Sequence, residues 1–214
     1  MRRGGTRVSR AEKSEAIRRA LLEAAVTVVG RFGYAGASIA RITMSAEVAQ
    51  GTFYNYFESR DELFSHLLPE IGKLMVTEIA DKVRAEKGFA AREEARIRAY
   101  LQFLRSNPGF YRVLREAETF APEAHREHMN NMVAGYVRAL RAERQRAGAP
   151  RVSDSEIEKM VYMLLGARDY LAMRLSVSPQ RAAMAGGATD DETVRTYMRA
   201  IRGGLFDDVP DRAG

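Results

Sequence analysis

Apolar residues recur along this chain at helical spacing, and the alternation typical of strands is absent from it. In the first segment they form a stripe that predicts a helix with one face in the core: Ile17, Leu21, Ala24, Ala25, Val28 and Phe32. Over the whole chain, the pattern predicts an all-α fold. Nine helices are expected, at about 9–32, 38–45, 49–56, 59–86, 90–106, 108–118, 122–147, 153–175 and 190–204.

Local signals agree with these boundaries. Four predicted helix starts carry the Ser/Thr-x-x-Glu capping box: Ser9 to Glu12, Ser59 to Glu62, Ser153 to Glu156 and Thr189 to Glu192. Breakers separate the later helices: Asn107-Pro108-Gly109, Ala121-Pro122, Gly148-Ala149-Pro150 and Ser178-Pro179. We expect a loop over 185–188 and a disordered tail over 207–214.

Residues 38–57 predict two short helices joined by a tight turn. Ile39, Ile42 and Val48 face inward, and Phe53 and Phe57 are expected in the core. The second helix carries polar and aromatic groups that suit a DNA groove better than a core: Gln50, Thr52, Tyr54, Asn55 and Tyr56. Amides and hydroxyls can bind base edges and phosphates, and Gly51 leaves room for a close backbone approach.

This stretch resembles the helix-turn-helix of the TetR family of transcriptional regulators. The likeness covers about residues 10–68 and includes Arg31-Phe32-Gly33-Tyr34 and the segment 57–64. It implies a DNA-binding domain over 1–58, with a basic N-terminal tail. A helical ligand-binding and dimerisation domain is implied over 59–214. The sequence departs from the family pattern at the turn residue Glu47, the cap residue Ala49, and at Gln50 and Arg41.

The resemblance assigns roles to eight DNA-binding candidates. Gln50 and Tyr54 are implied base contacts, with Gly51 between helix and DNA. Thr52, Asn55 and Tyr56 suit phosphates or nearby bases, although Tyr56 could also only support packing. Ser38 and Arg60 would bracket the DNA backbone near helix N-termini, unless Ser38 is simply an N-cap and Arg60 a solvated charge.

Charge supports a nucleic-acid partner. The formal net charge is +6, and residues 1–60 hold 10 Lys or Arg against 5 Asp or Glu. Such a concentration beside a groove-reading helix favours phosphate binding. The tail arginines could enter the minor groove or stay free: Arg2, Arg3, Arg7 and Arg10.

The eighth predicted helix is apolar nearly all round, and Gly166 and Ala167 would admit a close neighbour. The ninth has an apolar stripe: Val194, Tyr197, Met198, Ile201 and Leu205. The resemblance implies that both helices form a four-helix homodimer interface. The alternative is a monomer that hides these faces inside itself. Arg168 and Asp169 either cross the dimer interface as an ion pair, which we favour, or Arg168 meets an anionic group in a ligand cavity.

Ligand candidates come from the fifth to eighth helices: Phe103, Phe110, Tyr111, Leu114, Met132, Tyr136, Tyr162, Met163, Arg168 and Tyr170. As a group they suit a small, mostly apolar effector of fatty acyl, aromatic or steroid-like type. His125 and His128 favour a solvated helix face over a metal site, and His66 is expected to be partly buried. We expect no metal and no cofactor.

The residues favour a regulator over an enzyme, because the sequence has no Gly-rich phosphate loop, nucleophile elbow or cysteine. No apolar run is long enough for a membrane span, and the basic N-terminus is not followed by an apolar stretch, so a cytoplasmic protein is expected. We predict a dimeric repressor that binds a palindromic operator and is released by ligand. An activator or a ligand-independent DNA-binding protein is the alternative.

Overall fold

The computed structural model describes residues 9–147, 152–177 and 190–202, and this part of the chain forms nine helices. They are α1 (Arg10–Gly36), α2 (Ile39–Ser45), α3 (Gln50–Phe53), α4 (Arg60–Arg84), α5 (Phe89–Ser106), α6 (Phe110–Phe120), α7 (Pro122–Ala147), α8 (Asp154–Val177) and α9 (Asp190–Arg202). Most predicted bounds are confirmed within a few residues. The predicted loop over 185–188, the tail, Leu205, Thr189 and the arginines before Ser9 lie outside the described residues.

Side chains cap the helices largely as the sequence predicts. At α1, Ser9 accepts a hydrogen bond from the Glu12 amide and the Glu12 carboxylate accepts one from the Ser9 amide. Ser153 and Glu156 make the same reciprocal pair before α8. At α4 only half of the box forms: Ser59 accepts from the Glu62 amide, but the Glu62 carboxylate binds the amide of Glu58 instead.

The first helix differs from its prediction at its C-terminal end. It continues to Gly36 through a kink at Gly33, which has a φ of 72°. The kink turns the chain, so Tyr34 is fully buried and Phe32 is 41% exposed. Placing Phe32 in the core was therefore wrong. The guanidinium of Arg41 lies over the Phe32 ring, 4.6 Å from its centroid, and partly covers it.

The recognition helix is also shorter than predicted. Helix α3 ends at Phe53, and Tyr54 to Tyr56 continue as turns, in which the amides of Asn55 and Tyr56 bond three residues back. Its N-cap is Ala49, which has no side-chain acceptor for the first amides of the helix. A helix of one turn without a capping side chain has little local stability, so its neighbours must hold it in place.

The core runs through the whole molecule. Helix α1 packs on α2 and α6, α4 packs on α5 and α7, and α9 packs on α5. The apolar stripe of α9 is buried inside its own subunit: Val194, Tyr197, Met198 and Ile201. These side chains were expected at a dimer interface. In this structure they lie in the core of their own chain, where α9 packs on α5. Among the described helices, none is both long and apolar enough to cross a lipid bilayer.

A buried carboxylate joins four of these helices. Glu93 of α5 is fully buried and accepts hydrogen bonds from Arg168 of α8, Tyr136 of α7 and Tyr197 of α9. Arg96, one turn along α5, donates to the same carboxylate at 2.6 Å. Burial alone would raise the pKa of Glu93, but the two guanidinium groups and the two hydroxyls hold that pKa below its ordinary value.

Substitution Glu93→Gln should destabilise the fold. It leaves two buried guanidinium groups without a counter-charge, and breaking a buried ion pair in this way costs about 3 kcal/mol or more in the free energy of unfolding. The check is urea unfolding followed by circular dichroism at fixed protein concentration.

The neighbouring Glu94→Gln is the control, because that side chain is 43% exposed and forms an ion pair with Arg98, which is itself 44% exposed. It should change the free energy of unfolding by less than about 1 kcal/mol. Equal effects of the two substitutions would contradict the role given to Glu93.

Candidate DNA-binding surface and ligand cavity

The turn between α2 and α3 is held by backbone bonds. The amide of Val48 donates to the carbonyl of Thr43 at 3.0 Å, and Ile42 is fully buried beneath the turn. Glu47 adopts a φ of 55°, the left-handed region that glycine enters most easily. Glu47, at which the sequence departs from the family pattern, therefore has a backbone conformation that costs roughly 1 kcal/mol.

Aromatic side chains fasten the short recognition helix to the core. Phe53 is fully buried and Phe57 is 2% exposed, as predicted, and their ring centroids lie 5.7 Å apart. The guanidinium of Arg18 lies 5.5 Å from the Phe57 centroid and forms an ion pair with Glu70 of α4. Helices α1, α3 and α4 therefore form one unit around these rings.

The DNA-binding candidates lie on the solvent side of this unit. Gln50, Gly51, Tyr54, Asn55 and Ser38 are exposed, whereas Thr52, Tyr56 and Arg60 are half-buried. Ser38 caps α2 by accepting from the Arg41 amide at 3.3 Å, and its hydroxyl proton stays available to a phosphate. Tyr56 packs against the core, and Arg60 lies 5.5 Å from the Phe64 centroid and 3.7 Å from the Asp61 carboxylate. Their contacts with DNA remain predictions.

Gly51 faces open space. A Cβ placed on it would meet no atom of the described residues within 4 Å. The protein itself would therefore accept a side chain here. Any need for glycine at this position comes from a molecule that approaches α3 from outside.

The second candidate site is a cavity of about 630 Å³ between α4, α5, α6, α7 and α8. This volume suits a small-molecule ligand. Six of the predicted ligand residues line it: Phe110, Leu114, Met132, Tyr136, Tyr162 and Arg168. The wall contributed by α4 was missed, because ligand candidates were expected only on the fifth to eighth helices: Met75, Val76, Ile79, Ala80 and Val83. Their helical spacing is a signal that sequence reasoning could have used.

Four predicted ligand residues lie elsewhere. Phe103 is buried behind the wall, with its ring edge-on to Phe110 at 5.2 Å between centroids. Tyr111 is buried and outside the lining. Met163 and Tyr170 are 51% and 70% exposed on α8, so they point to solvent rather than to the cavity. These residues were selected because they are aromatic or methionine, but residue type does not predict whether a side chain faces the cavity, the core or solvent.

Arg168 lines the cavity and is buried within its own chain, where it pairs with Glu93. The preferred prediction, an ion pair across a dimer interface, is therefore wrong for Arg168. Asp169 pairs at 3.4 Å with Arg115 of α6, also within the chain. The partners lie far away in sequence, so the local pattern did not reveal them.

Two histidines were considered as metal ligands. His128 is buried against Gly72, and its Nε2 has no hydrogen-bond partner among the described residues. No group of three potential metal ligands occurs in the described part of the chain. His66 is exposed, so its predicted partial burial was wrong; its ring centroid lies 6.2 Å from that of Phe57.

Helix α6 connects the cavity to the helix-turn-helix unit. Phe110, Leu114 and Arg115 face the cavity. On its other side, the Glu116 carboxylate accepts from the amide of Tyr34 at 2.8 Å, directly after the α1 kink.

Two further contacts join α6 to α1. Arg112 of α6 donates to the carbonyl of Arg31 in α1 at 3.2 Å. Its guanidinium also bonds to Glu116 within α6 at 2.5 Å, which orients it towards α1. Near the start of α6, Gly30 and Gly109 bring the two backbones so close that a Cβ on either residue would overlap the other helix.

Comparison with known proteins identifies this arrangement. The family model of the bacterial regulatory proteins of the tetR family matches residues 21–67, which span the helix-turn-helix. The HTH-type transcriptional regulator YhgD of Bacillus subtilis is 24% identical over 148 residues, covering 68% of this chain and 78% of that protein. The helix-turn-helix segment of this chain is that of the TetR family. TetR-family regulators bind DNA and are not enzymes, so this chain is a DNA-binding transcriptional regulator.

Other relatives add detail. The HTH-type transcriptional repressor DhaR of a Mycobacterium species is 39% identical over 54 residues, which cover 25% of this chain and 27% of DhaR. The fold matches FadR of Bacillus subtilis, solved in complex with stearoyl-CoA, with a TM-score of 0.70. That match covers 87% of this chain and 98% of FadR at 16% identity, so it concerns the fold alone. The all-α TetR fold predicted from the sequence is thus confirmed.

The buried His128 should make stability depend on pH. Burial, together with the nearby His125, lowers the pKa of His128 to about 4, whereas the unfolded chain has an ordinary value near 6.5. The unfolded state therefore binds more protons between these values, and stability falls as the pH falls through this window. Between pH 7 and pH 5 this residue should cost about 2 kcal/mol.

The measurement is urea unfolding at both pH values for the wild-type protein, His128→Asn and the exposed control His66→Asn. Only His128→Asn should reduce the loss of stability on acidification. If all three proteins lose the same amount, His128 is not held in its neutral form by the fold.

Proposed function

We propose that this regulator is a homodimeric repressor, that it binds a palindromic operator, and that a small, mostly apolar effector releases it. One observation carries the proposal: α6 lines the cavity with one face and holds the α1 kink with the other. A ligand in the cavity therefore acts on a helix that contacts the DNA-binding unit directly. The similar protein DhaR is named a transcriptional repressor, which supports repression rather than activation by this chain. Access to DNA implies a cytoplasmic location.

Operator binding would use the exposed surface of α3 and the turn after it. Gln50 and Tyr54 are the proposed base contacts, and Asn55 and Thr52 the nearest groups for phosphates. A single short helix reads few base pairs. Specificity therefore requires two copies bound to two half-sites about a helical turn or more apart.

The proposed dimer interface lies on α8. An apolar face of this helix is exposed at helical spacing: Met163, Gly166, Ala167, Tyr170 and Met173. A Cβ on Gly166 would meet no atom of the described residues within 4 Å, so a partner helix can approach closely there. Exposed apolar faces of this kind typically bind another protein surface. Helix α9 would contribute its outer side, because its apolar stripe packs on α5.

Release would follow from differential binding. The effector shifts the protein towards the state whose cavity fits it better, and it can do so only by its difference in affinity between the two states. Movement of α6 changes the contacts of Glu116 and Arg112 with the chain around Gly33. The recognition helices then no longer match the spacing of the half-sites.

DNA from beside its own gene should bind this protein tightly, and Tyr54→Ala should weaken that binding by about tenfold or more. The measurement is fluorescence anisotropy over a salt series, with Arg138→Ala as a control because Arg138 is an exposed residue of α7, away from α3. Equal weakening by the two substitutions, or binding without sequence preference, would contradict operator reading by α3.

The contact between α6 and α1 gives a further test that needs no effector. Glu116→Ala removes the acceptor of the Tyr34 amide, so hydrogen exchange at this amide should become about tenfold faster or more. Operator affinity should fall in the same variant because the kink is no longer held. Glu127→Ala, an exposed position on α7, is the control. Unchanged exchange and unchanged operator affinity would exclude Glu116 as part of the connection.

A further inference from the structure

One end of the cavity contains two arginines that share one carboxylate. Arg92 of α5 and Arg146 of α7 both form ion pairs with Glu143, and all three residues line the cavity. Glu143 is 11% exposed and Arg92 is 20% exposed at the side chain, so their ion pair is largely buried, whereas Arg146 is 60% exposed and reaches the cavity from its rim. The Nε of Arg92 also donates to the carbonyl of Glu86 at 2.9 Å, which fixes the side chain at the turn between α4 and α5.

A second pair of arginines repeats this imbalance. Arg96 and Arg168 both line the cavity, and both depend on the single carboxylate of Glu93 behind the wall. These four guanidinium groups thus share two carboxylates, while the lining also contains Arg115 with its partner Asp169, and Glu118. Arg84 adds another cation to the lining, and its partner Asp81 is 60% exposed outside the cavity.

The surroundings of Arg92 disfavour its charge. Burial lowers the pKa of Arg92, and the positive charges of Arg146 and Arg96 lower it further. The three guanidinium groups therefore lie close enough to repel one another. A second anion at this position would lower the electrostatic energy of the site, and a guanidinium fork binds carboxylate or phosphate oxygens in pairs.

Other parts of the cavity are less charged. The walls along α4 and α7 include apolar and methionine side chains: Met75, Val76, Ile79, Met129 and Met132. Beside them lie His125, His128 and Asn131 of α7. Methionine adapts to flexible apolar ligands. The site therefore combines an apolar chamber with a cationic end.

We propose that the effector is an anionic amphiphile: its carboxylate or phosphate binds Arg92 and Arg146 in competition with Glu143, and its apolar chain lies between α4 and α7. The inference rests on the proposed function, in which this cavity holds the effector. Glu143 acts as an internal counter-ion that the ligand's anion replaces. This assignment predicts that removal of Glu143 strengthens binding, which damage to the fold could not imitate.

The test uses the fluorescent fatty acid cis-parinaric acid and its uncharged methyl ester as probes of the purified full chain. The acid should bind about tenfold or more tightly than the ester, and added salt should weaken only the acid. Glu143→Gln should tighten binding of the acid several-fold and leave the ester unchanged. The double variant Arg92→Gln/Arg146→Gln should weaken the acid about tenfold, again without effect on the ester.

Arg141→Gln is the matched control, because this α7 arginine pairs with Asp154 and lies outside the cavity lining. It should change neither affinity. Equal binding of acid and ester, equal effects of a variant on both, weaker acid binding by Glu143→Gln, or no binding of either probe would each overturn the proposal.

Competition identifies the source of the anion. Palmitate and palmitoyl-CoA should both displace the bound acid, and hexadecanol should not. Stronger displacement by the thioester assigns the site to phosphate groups, and stronger displacement by palmitate assigns it to a carboxylate. Operator binding is measured separately without any lipid, so loss of the ligand preference and failure of DNA binding are distinguishable outcomes.

Discussion

The buried carboxylate of Glu93 is the contact on which the C-terminal helices depend. Side chains from α5, α7, α8 and α9 converge on it, and three of them, Arg96, Tyr136 and Arg168, also form the cavity wall. A charge inside a protein tolerates few arrangements of its partners, because each lost partner leaves a costly desolvated group. The same network therefore sets the fold and the position of two cavity cations.

Helix α6 connects the cavity to the helix-turn-helix unit. Its sequence alternates between groups for the cavity and groups for α1, so one rigid element has two interfaces. Tyr34 lies at the second interface, with its ring stacked on Phe120 of α6 and edge-on to Phe64 of α4. The segment after the kink is consequently held by both α4 and α6.

Sequence reasoning succeeded where structure is local. Helical periodicity and the caps at Ser9 and Ser153 located the helices, and Phe53 and Phe57 were placed in the core correctly. It failed where a distant partner decides. Phe32 is exposed beside the kink at Gly33, and the apolar stripe of α9 packs on α5 of the same chain. Arg168 pairs with Glu93, which lies 75 residues away in sequence. An amphipathic pattern predicts that one face of a helix is buried, but it does not predict which surface packs against that face.

The crossing of α1 and α6 at Gly30 and Gly109 has a mechanical consequence. Backbone meets backbone there, so the two helices do not interlock through side chains at the point of closest approach. A Cβ on Gly109 would lie 2.3 Å from the carbonyl oxygen of Val26, so any other residue there must push α6 away from α1. The separation of the two helices at this crossing is thus set by backbone contact, and the hydrogen bonds of Glu116 and Arg112 to α1 depend on that separation.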